Sequence, residues 1–453
     1  MAQDKGSRII ASSSRSESVK LLRDLLRVRS INPPGDEAGV AELLETYLAG
    51  AGLETKIVTS PEGRSSLIAR LDGPQDRPAL VLLSHSDVVP VEENNWSRDP
   101  FGGELAEGFI WGRGALDMKS VAVMHAVALA ELARSGQTPS REVIVASTAD
   151  EEAGGGEGAR WVLDEHAELV GFGDARPAPE VISEGAYGLA GMLDRPVIPI
   201  ATGEKTAVFF DVVAEGDPGH GALPPQRQAP VNLAVLIEQI AGFATPRVHP
   251  VLREQFSTLS GAASGATAAI FRALASPMGG TVARALAPRL RKAGALGLLL
   301  ADSTTPTRLS AGYKSNVVPA EARASFDSRL LPDTDVDEYI SSVDTKARRH
   351  GGRVTNIDNK GFGPVSSKGP LFEILKQASE ELAPGAVTTD SLSPGITDLR
   401  FFRARGANGY GWIPLVLTPE LLATIHGHDE RVGIDDFEQA ITVMSEVVHR
   451  AAT

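Results

Sequence analysis

The sequence contains no cysteine among its 453 residues. This absence excludes disulfide bonds, thiol nucleophiles, iron–sulfur clusters and cysteine-ligated zinc. Any metal site must therefore use histidine, aspartate and glutamate. Positive charge is also scarce, because 44 Lys and Arg residues stand against 58 Asp and Glu, a net charge of −14. Binding to nucleic acids or anionic membranes usually needs a basic patch, so we expect neither partner.

Long apolar runs are missing as well. No segment is long and apolar enough to span a bilayer, and the N-terminal stretch has no apolar run of signal-peptide length. We therefore expect a cytoplasmic protein whose first dozen or so residues form a loose tail. Hydrophobic residues make up 42% and charged residues 23% of the chain, which is ordinary for a globular protein of two or three domains.

The first 200 residues alternate between helical and strand patterns. Helices are predicted at about 17–28, 40–48 and 118–133, and strands at 53–58, 66–71, 79–83 and 142–148. The strand at 79–83 is continuously apolar, which is typical of a strand buried on both faces. The alternation predicts an α/β domain with a mostly parallel sheet.

After residue 200 the pattern changes to strand, helix, two strands, helix and strand, which fits a ferredoxin-like domain. The predicted strands are 206–214, 308–313, 322–330 and 354–358, and the helices are 231–241 and 335–348. Residues 250–305, rich in Ala, Leu and Gly, are expected to form additional short helices. The α/β pattern resumes with helices at 371–382 and 437–451. We therefore predict a catalytic domain of residues 1–200 and 363–453, interrupted by an inserted domain of residues 201–362.

Histidine and acidic residues follow the ends of buried strands, where α/β proteins bind ligands. His85 and Asp87 come after the strand at 79–83, and Asp87 is placed to hold an imidazole in position. The alternative is a capping aspartate beside a surface histidine. Asp117 ends a glycine-rich stretch before a helix, where, taken alone, an N-cap is the better interpretation.

The run from Asp150 to Glu152 is the strongest single feature, because adjacent carboxylates repel one another unless a cation intervenes. The alternative is a solvated loop. Glu184 follows another apolar strand, and His426 lies near the C-terminus. Together with His85 and Asp117, these residues suit two divalent ions bridged by one carboxylate. His428 is expected behind a ligand or at the surface, and five histidines are expected to be structural or exposed: His125, His166, His249, His350 and His449.

Eight segments resemble the M20 metallopeptidase family, which includes acetylornithine deacetylase, succinyl-diaminopimelate desuccinylase, aminoacylase-1 and carboxypeptidase S. In the family's order, between residues 84 and 431, they are SHSDVVP, WSRDPFGGELAEGFIWGRGALDMKS, ADEEAGG, SEG, GDPGHGA, NVVPAEARASFDSR, GITDLR and IHGHDER. The resemblance implies a zinc-peptidase-type α/β catalytic domain with an inserted ferredoxin-like α+β lid domain.

The resemblance also implies which residues hold metal. His85, Asp117 and Glu184 would bind one zinc ion. Asp117, Glu152 and His426 would bind the other, so that Asp117 bridges the pair. Cobalt or manganese could replace zinc, because the donor sets of these ions overlap.

Further roles follow from the same resemblance. Glu151 would be the general base, Asp87 would orient a ligating imidazole, and His220 would polarise the scissile carbonyl. In dimeric members of the family this histidine comes from the partner subunit. Substrate contacts would come from three residues: Asn316, Arg329 and Gly395. Without the resemblance, His220 fits a turn histidine equally well, and a solvated arginine would be the better interpretation of Arg329.

The implied reaction is hydrolysis of the amide bond of an N-acyl amino acid or small peptide. Glu184, where aminopeptidases of the family usually carry aspartate, favours a substrate with a free carboxylate and a blocked amine. The alternatives are a dipeptidase, a hydrolase of carbamates or other non-peptide amides, and a catalytically inactive binding protein of the same fold. A monomer and a homodimer through the lid both stay open, because residues 250–305 resemble the carboxypeptidase S branch and affect the expected dimer contact.

Overall fold

The computed structural model describes residues 12–290 and 295–453, and the expected N-terminal tail lies outside them. The helices are α1 (Ser12–Arg27), α2 (Ala38–Ala49), α3 (Lys119–Arg134), α4 (Trp161–Glu165), α5 (Ala229–Ile240), α6 (Pro250–Leu259), α7 (Gly265–Ala275), α8 (Gly279–Leu290), α9 (Ala295–Leu299), α10 (Val336–Arg349), α11 (Pro370–Leu382), α12 (Leu399–Ala404), α13 (Pro419–Leu422) and α14 (Ile434–Ala452). The strands are β1 (Glu54–Thr59), β2 (Ser65–Leu71), β3 (Leu80–His85), β4 (Glu104–Ala106), β5 (Phe109–Trp111), β6 (Val143–Thr148), β7 (Glu180–Leu189), β8 (Val197–Glu204), β9 (Thr206–Glu215), β10 (Gly219–His220), β11 (Gly242–Phe243), β12 (Ser303–Ala311), β13 (Val317–Val318), β14 (Glu321–Leu330), β15 (Gly352–Asn359), β16 (Val387–Ser393), β17 (Asn408–Leu417) and β18 (Arg431–Gly433).

The catalytic domain is built on an eight-stranded sheet of order β1-β2-β6-β3-β7-β17-β8-β16. Strands β6, β3, β7 and β17 run parallel to one another, whereas β1 and β2 form an antiparallel edge. The prediction of a mostly parallel sheet is therefore confirmed, with antiparallel pairing where β2 meets β1 and β6 and where β17 meets β8. A turn of only five residues joins β1 to β2, and so short a connection allows only antiparallel pairing.

Apolar side chains cover both faces of this sheet. One core lies under α1, α2, α3, α11 and α14, and the second lies on the opposite face under α4 and α12. Strands β3 and β6 are buried along their whole length, as the continuous apolar run at 79–83 predicts. The sheet therefore provides a rigid edge from which the loops of the site extend.

The inserted domain has a sheet of order β11-β12-β14-β9-β15, with α5 and α10 packed on one face. Its chain order, β9-α5-β12-β14-α10-β15, confirms the ferredoxin-like prediction. Strand β12 begins five residues earlier than expected, at Ser303, and its pairing with β14 is irregular between Pro306 and Arg308. The interruption at Pro306 hides the first half of the strand from a sequence pattern. The boundaries at residues 200 and 362 stay predictions.

Four short helices, α6 to α9, occupy the extra stretch after α5. Val251 and Phe256 of α6 pack in one cluster with Leu392 of β16 and with Leu331, which follows β14. The extra helices therefore contact both the catalytic sheet and the lid. Among the helices within residues 12–290 and 295–453, none has the length and apolar character needed to cross a bilayer.

Candidate active site

The parallel pairing of β3 with β6 brings the first two site segments together. His85 is the last residue of β3 and lies opposite Thr148, the last residue of β6. The chain then turns at Asp150, whose φ of 68° is left-handed, and Glu151–Ala153 form one turn of 3-10 helix. Both loops therefore start from one edge of the sheet, as expected for a ligand site in an α/β domain.

Asp87 holds this arrangement from below. Its carboxylate accepts hydrogen bonds from the backbone N–H groups of Glu151 at 3.2 Å and Glu152 at 3.1 Å. Its backbone carbonyl lies 3.0 Å from Nδ1 of His85, and its Oδ1 lies 3.4 Å from the same nitrogen. Asp87 is therefore placed to orient the His85 ring so that Nε2 faces Asp117 and Glu184.

All five predicted metal ligands lie close together around Asp117. Nε2 of His85 lies 3.1 Å from Oδ1 of Asp117 and 3.8 Å from Oε1 of Glu184. Nε2 of His426 lies 3.1 Å from Oδ2 of Asp117 and 3.3 Å from Oε1 of Glu152. The two oxygens of Asp117 therefore face two different imidazoles. Glu184 lies within β7 rather than after a strand, which corrects the expected position.

Glu430 joins the C-terminal part of the site to the glycine-rich stretch. Its Oε1 accepts hydrogen bonds from the backbone N–H groups of Gly114, Leu116 and Asp117, and its Oε2 lies 2.6 Å from Arg113. Strand β18, which follows Glu430, pairs with β5, just ahead of Gly112. The N-cap alternative for Asp117 is wrong, because Met118 occupies the cap of α3, which begins at Lys119.

A second buried network supports the Asp150 turn. Asp150 accepts hydrogen bonds from Arg64 at 2.8 Å and from Asn32 at 3.2 Å, and Arg64 also pairs with Glu37. Asn32 donates its other hydrogen bond to Asp87 at 2.7 Å. Because Asp150 is buried and fully partnered while Glu151 and Glu152 are half-buried, the alternative of a solvated loop is wrong.

The electrostatics of the cluster reflect carboxylates crowded away from water. Burial raises the pKa of Glu151, and the charge of Glu184 raises it further. Burial would raise the pKa of Asp117 too, but its hydrogen bonds to His426 and His85 outweigh burial and lower the pKa. The hydrogen bond to Asp117 and the neighbouring charge of Glu152 raise the pKa of His426 to about 10. The imidazoles therefore offset part of the repulsion among the carboxylates.

The donor set fits divalent metal. His85, Asp117 and Glu152 offer one group of ligand atoms within 4.8 Å of one another, and His85, Glu151 and Glu184 offer another. Oε1 of Glu152 is buried and makes no hydrogen bond among the described residues, although an imidazole nitrogen lies 3.3 Å away. An unpartnered buried oxygen is costly, and a cation at this point would satisfy it.

A cavity of about 350 Å³ opens beside the cluster, within the usual size of small-molecule sites. Its walls come from the acidic loop, the lid and the segment after β16: Glu151, Glu152, Ala153, Gly154, Phe209, Arg329, Lys360, Gly395, Ile396 and His426. Two predicted substrate residues, Arg329 and Gly395, therefore lie in the cavity. Arg329 lies on β14 of the lid, and its guanidinium pairs with Asp327.

His220 and Asn316 lie elsewhere, next to each other. His220 is in β10, opposite Val317 of β13, and the backbone carbonyl of Asn316 accepts a hydrogen bond from Gly221. Both residues are exposed, and neither lines the cavity beside the acidic cluster. The structure therefore does not bring these two predicted residues to the predicted metal ligands.

Three residues of the site neighbourhood were missed by the sequence reasoning. Asp398 is buried, accepts a hydrogen bond from Thr148 at 3.0 Å and has a pKa raised by burial to about 6. Lys360 lines the cavity, and Glu430 holds the Asp117 loop. Asp398 and Glu430 stand in the quoted segments GITDLR and IHGHDER, so their positions were visible. Lys360 belongs to none of the quoted segments. It reaches the cavity only because the chain returns from the lid at this residue.

Comparison with known proteins identifies the family. The model of peptidase family M20/M25/M40 matches residues 81–450. The chain belongs to this family. Aminoacylase-1 of Sus scrofa is similar to this M20 chain, with 27% identity over 457 residues that cover 95% of this chain and 96% of the relative.

Solved M20 structures share the fold. An M20 family metallo-carboxypeptidase from Sulfolobus solfataricus has a TM-score of 0.71 at 19% identity, covering 95% of this chain and 98% of its own. A dinuclear metal-binding M20 peptidase from Bacillus subtilis has a TM-score of 0.59 at 14% identity, covering 97% and 99%. The M20 chain described here is a metal-dependent enzyme that hydrolyses amide bonds, and its fold is a catalytic α/β domain with an inserted lid.

Proposed function

We propose that this M20 enzyme uses two divalent ions, most simply zinc, to cleave the amide bond of N-acyl amino acids or small peptides with a free carboxylate. The observation that carries the proposal is the carboxylate of Asp117, whose two oxygens each lie 3.1 Å from a different imidazole. A carboxylate shared in this way suits a bridge between two ions. His85 and Glu184 would complete one ligand set, and Glu152 and His426 the other.

The bound ions would supply Lewis-acid stabilisation of the developing oxyanion and would acidify the attacking water. Glu151 lies in the cavity wall, where its carboxylate can accept the proton of that water and later deliver it to the leaving nitrogen. Asp87 holds the backbone of Glu151 at 3.2 Å, so that the base keeps its position during both transfers. Zinc, cobalt and manganese would all accept this donor set.

The substrate would lie in the cavity beside the acidic loop. Arg329 lies in its wall and supplies positive charge for a carboxylate, and Gly395 lines the same wall. The likeness to aminoacylase-1 supports an N-acyl amino acid as the substrate. Glu184 favours a substrate with a free carboxylate, and the positively charged part of the cavity wall would suit that carboxylate.

We further propose that the enzyme acts as a homodimer through the lid, with the partner's His220 completing the site. The edge of the lid supports this. Within residues 12–290 and 295–453, strand β12 has no partner beyond Thr304 on its outer side, while Leu309 is 66% and Tyr313 83% exposed. Unpaired edge strands with apolar side chains favour pairing with another chain. His220 and Asn316 are exposed in one subunit and would become available across the interface.

Glu151→Gln tests the proposed chemistry. We expect the variant to bind two metal ions per chain, as the wild type does, and to lose at least a hundredfold in kcat. The exposed Glu165→Gln is the matched control and should keep full activity. Metal-loaded protein is assayed with N-acetyl amino acids, unblocked dipeptides and carbamoyl amino acids. Exclusive turnover of dipeptides or carbamoyl compounds would replace the substrate assignment, and no hydrolysis of any amide would favour a binding protein.

Mixing two inactive variants tests the role of His220. If His220 acts across subunits, His220→Ala and Glu151→Gln chains mixed and reassociated form heterodimers with one intact site. Activity should then return to roughly a quarter of the wild-type value, as random pairing would produce. A monomer by sedimentation, or no recovery in a mixture shown to exchange subunits, would contradict the proposal.

A further inference from the structure

Two cationic side chains line the cavity beside Glu151. Arg329 comes from strand β14 of the lid, and Lys360 is the first residue after β15, where the chain returns from the lid to the catalytic domain. Of these two side chains, only Arg329 has a role in the proposed function. Lys360 therefore needs an explanation of its own.

The backbone of Lys360 is held on both sides. Its N–H donates to the carbonyl of Ala207 at 3.1 Å, and its carbonyl accepts a hydrogen bond from Nε of Arg400 at 2.7 Å. The same guanidinium donates to the carbonyl of Gly154 at 2.8 Å. Arg400 therefore ties Lys360 to the loop that carries Glu151 and Glu152.

The side chain of Lys360 extends over this loop and is only 24% exposed. A Cβ atom built on Gly154 would lie 3.1 Å from Nζ of Lys360. The ammonium group is thus positioned directly over the residue two places after Glu152, at the edge of the acidic cluster. A glycine at this position leaves the space that the lysine occupies.

The charge of Arg329 is already largely engaged. Its Nε and Nη2 donate to the two oxygens of Asp327 at 2.8 and 3.0 Å. Two of its nitrogens are therefore occupied before a substrate carboxylate arrives. Lys360 pairs with Asp358, which is 54% exposed. Exposed ion pairs contribute little, so Asp358 competes only weakly with a substrate carboxylate for Lys360.

Phe209 brings both cations to the same part of the cavity. The Arg329 guanidinium lies 5.7 Å and the Lys360 ammonium 5.8 Å from the centre of its ring. An aromatic face attracts cations, so the ring helps to hold both side chains beside the cavity. An anionic substrate must approach a cluster of carboxylates here, and positive charge at the rim would offset their repulsion.

We propose that Lys360 determines substrate specificity, its ammonium group binding the free carboxylate of the N-acyl amino acid together with Arg329. This inference rests on the proposed function and adds a residue to it. Lysine supplies three donors on a flexible stem, so it can reach a substrate carboxylate while two nitrogens of Arg329 stay bound to Asp327. The uncharged carboxamide of the same compound would gain little from Lys360.

The test compares N-acetylleucine with N-acetylleucinamide. Dissociation constants are measured by titration calorimetry on metal-loaded protein in the Glu151→Gln background, with Lys, Met or Arg at position 360. Lys360→Met should weaken binding of the acid about tenfold or more, as loss of a charge-assisted hydrogen bond predicts, and change binding of the amide less than twofold. Lys360→Arg should retain most of the affinity. Lys376→Met, on the exposed surface of α11, is the matched control.

Kinetics with Glu151 intact separate this inference from the proposed function. Lys360→Met should raise KM for the acid with kcat nearly unchanged. Equal weakening of acid and amide, unchanged binding of the acid, or no binding of N-acetylleucine at any concentration would overturn the role of Lys360. Selective loss of acid binding in Lys360→Met, without turnover of N-acyl amino acids by the wild type, would support Lys360 and contradict the proposed function.

Discussion

Burial of His125 destabilises the folded protein, and a substitution can remove this destabilisation. It lies on α3 in the core of the catalytic domain, fully buried, and neither ring nitrogen has a hydrogen-bond partner among the described residues. Burial lowers the pKa of His125 to about 3. The folded protein therefore excludes a proton that the unfolded chain binds at its ordinary pKa near 6.5.

The sign of the pH effect follows directly. Protonation of His125 does not affect the free energy of unfolding above pH 6.5. Below pH 6.5 the free energy of unfolding decreases as the pH falls towards the folded-state pKa, because only the unfolded chain takes up the proton. Each pH unit below 6.5 lowers the free energy of unfolding by about 1.4 kcal/mol. At pH 5 the contribution of His125 is therefore about 2 kcal/mol less favourable than at pH 7.5.

Leucine in place of His125 removes both effects. We expect His125→Leu to be more stable than the wild type by about 1 kcal/mol at pH 7.5, since two unsatisfied buried nitrogens disappear, and by about 3 kcal/mol at pH 5. Urea unfolding of the metal-free proteins, followed by tryptophan fluorescence, measures this. The tryptophans all precede or follow the lid in sequence: Trp96, Trp111, Trp161 and Trp412.

His449→Leu, a half-buried histidine on α14, is the control and should show the wild-type pH dependence. The reasoning would be refuted if wild type and His125→Leu lost the same free energy between pH 7.5 and pH 5. A stabilisation at pH 7.5 that does not grow on acidification would show that packing alone changed.

Two further variants test how the ligands are held. Glu430→Gln leaves Arg113 buried without its charge partner. We expect a loss of about 3–5 kcal/mol in the free energy of unfolding, measured by urea unfolding. We also expect weaker metal binding, measured by competition with a chromophoric chelator. Unchanged metal affinity would contradict the role of Glu430 in holding Asp117. Asp87→Asn keeps the shape of the side chain beside His85 but removes its charge. We expect metal affinity to fall about 10–100-fold. Affinity equal to that of the wild type would show that backbone contacts alone orient the His85 ring.

The sequence predicted those parts of the fold that depend on local patterns. Apolar runs identified β3 and β6, and the strand and helix order identified the ferredoxin-like lid. The antiparallel edge of β1 and β2 was missed, because strand direction depends on pairing rather than on composition. Strand β17 was missed although it is almost wholly buried, since its glycines and proline resemble a loop.

The predicted metal ligands were found for a different reason. His85 and the run from Asp150 to Glu152 follow the ends of β3 and β6, which meet at the same edge of the sheet. The ligand roles themselves came from the resemblance to the M20 family. Lys360 could not be found in this way, because its place follows from the path of the chain between two domains. The separation of His220 from the cluster was equally invisible, since the position of the lid depends on packing between distant segments.

The central claim is that five side chains distant in sequence hold a pair of cations. A crystal structure of zinc-loaded protein, with anomalous differences collected on both sides of the zinc edge, tests it most directly. The account predicts two peaks, one bound by His85, Asp117 and Glu184 and the other by Asp117, Glu152 and His426. A single peak, two peaks that do not share Asp117, or none in protein with measured zinc would contradict it.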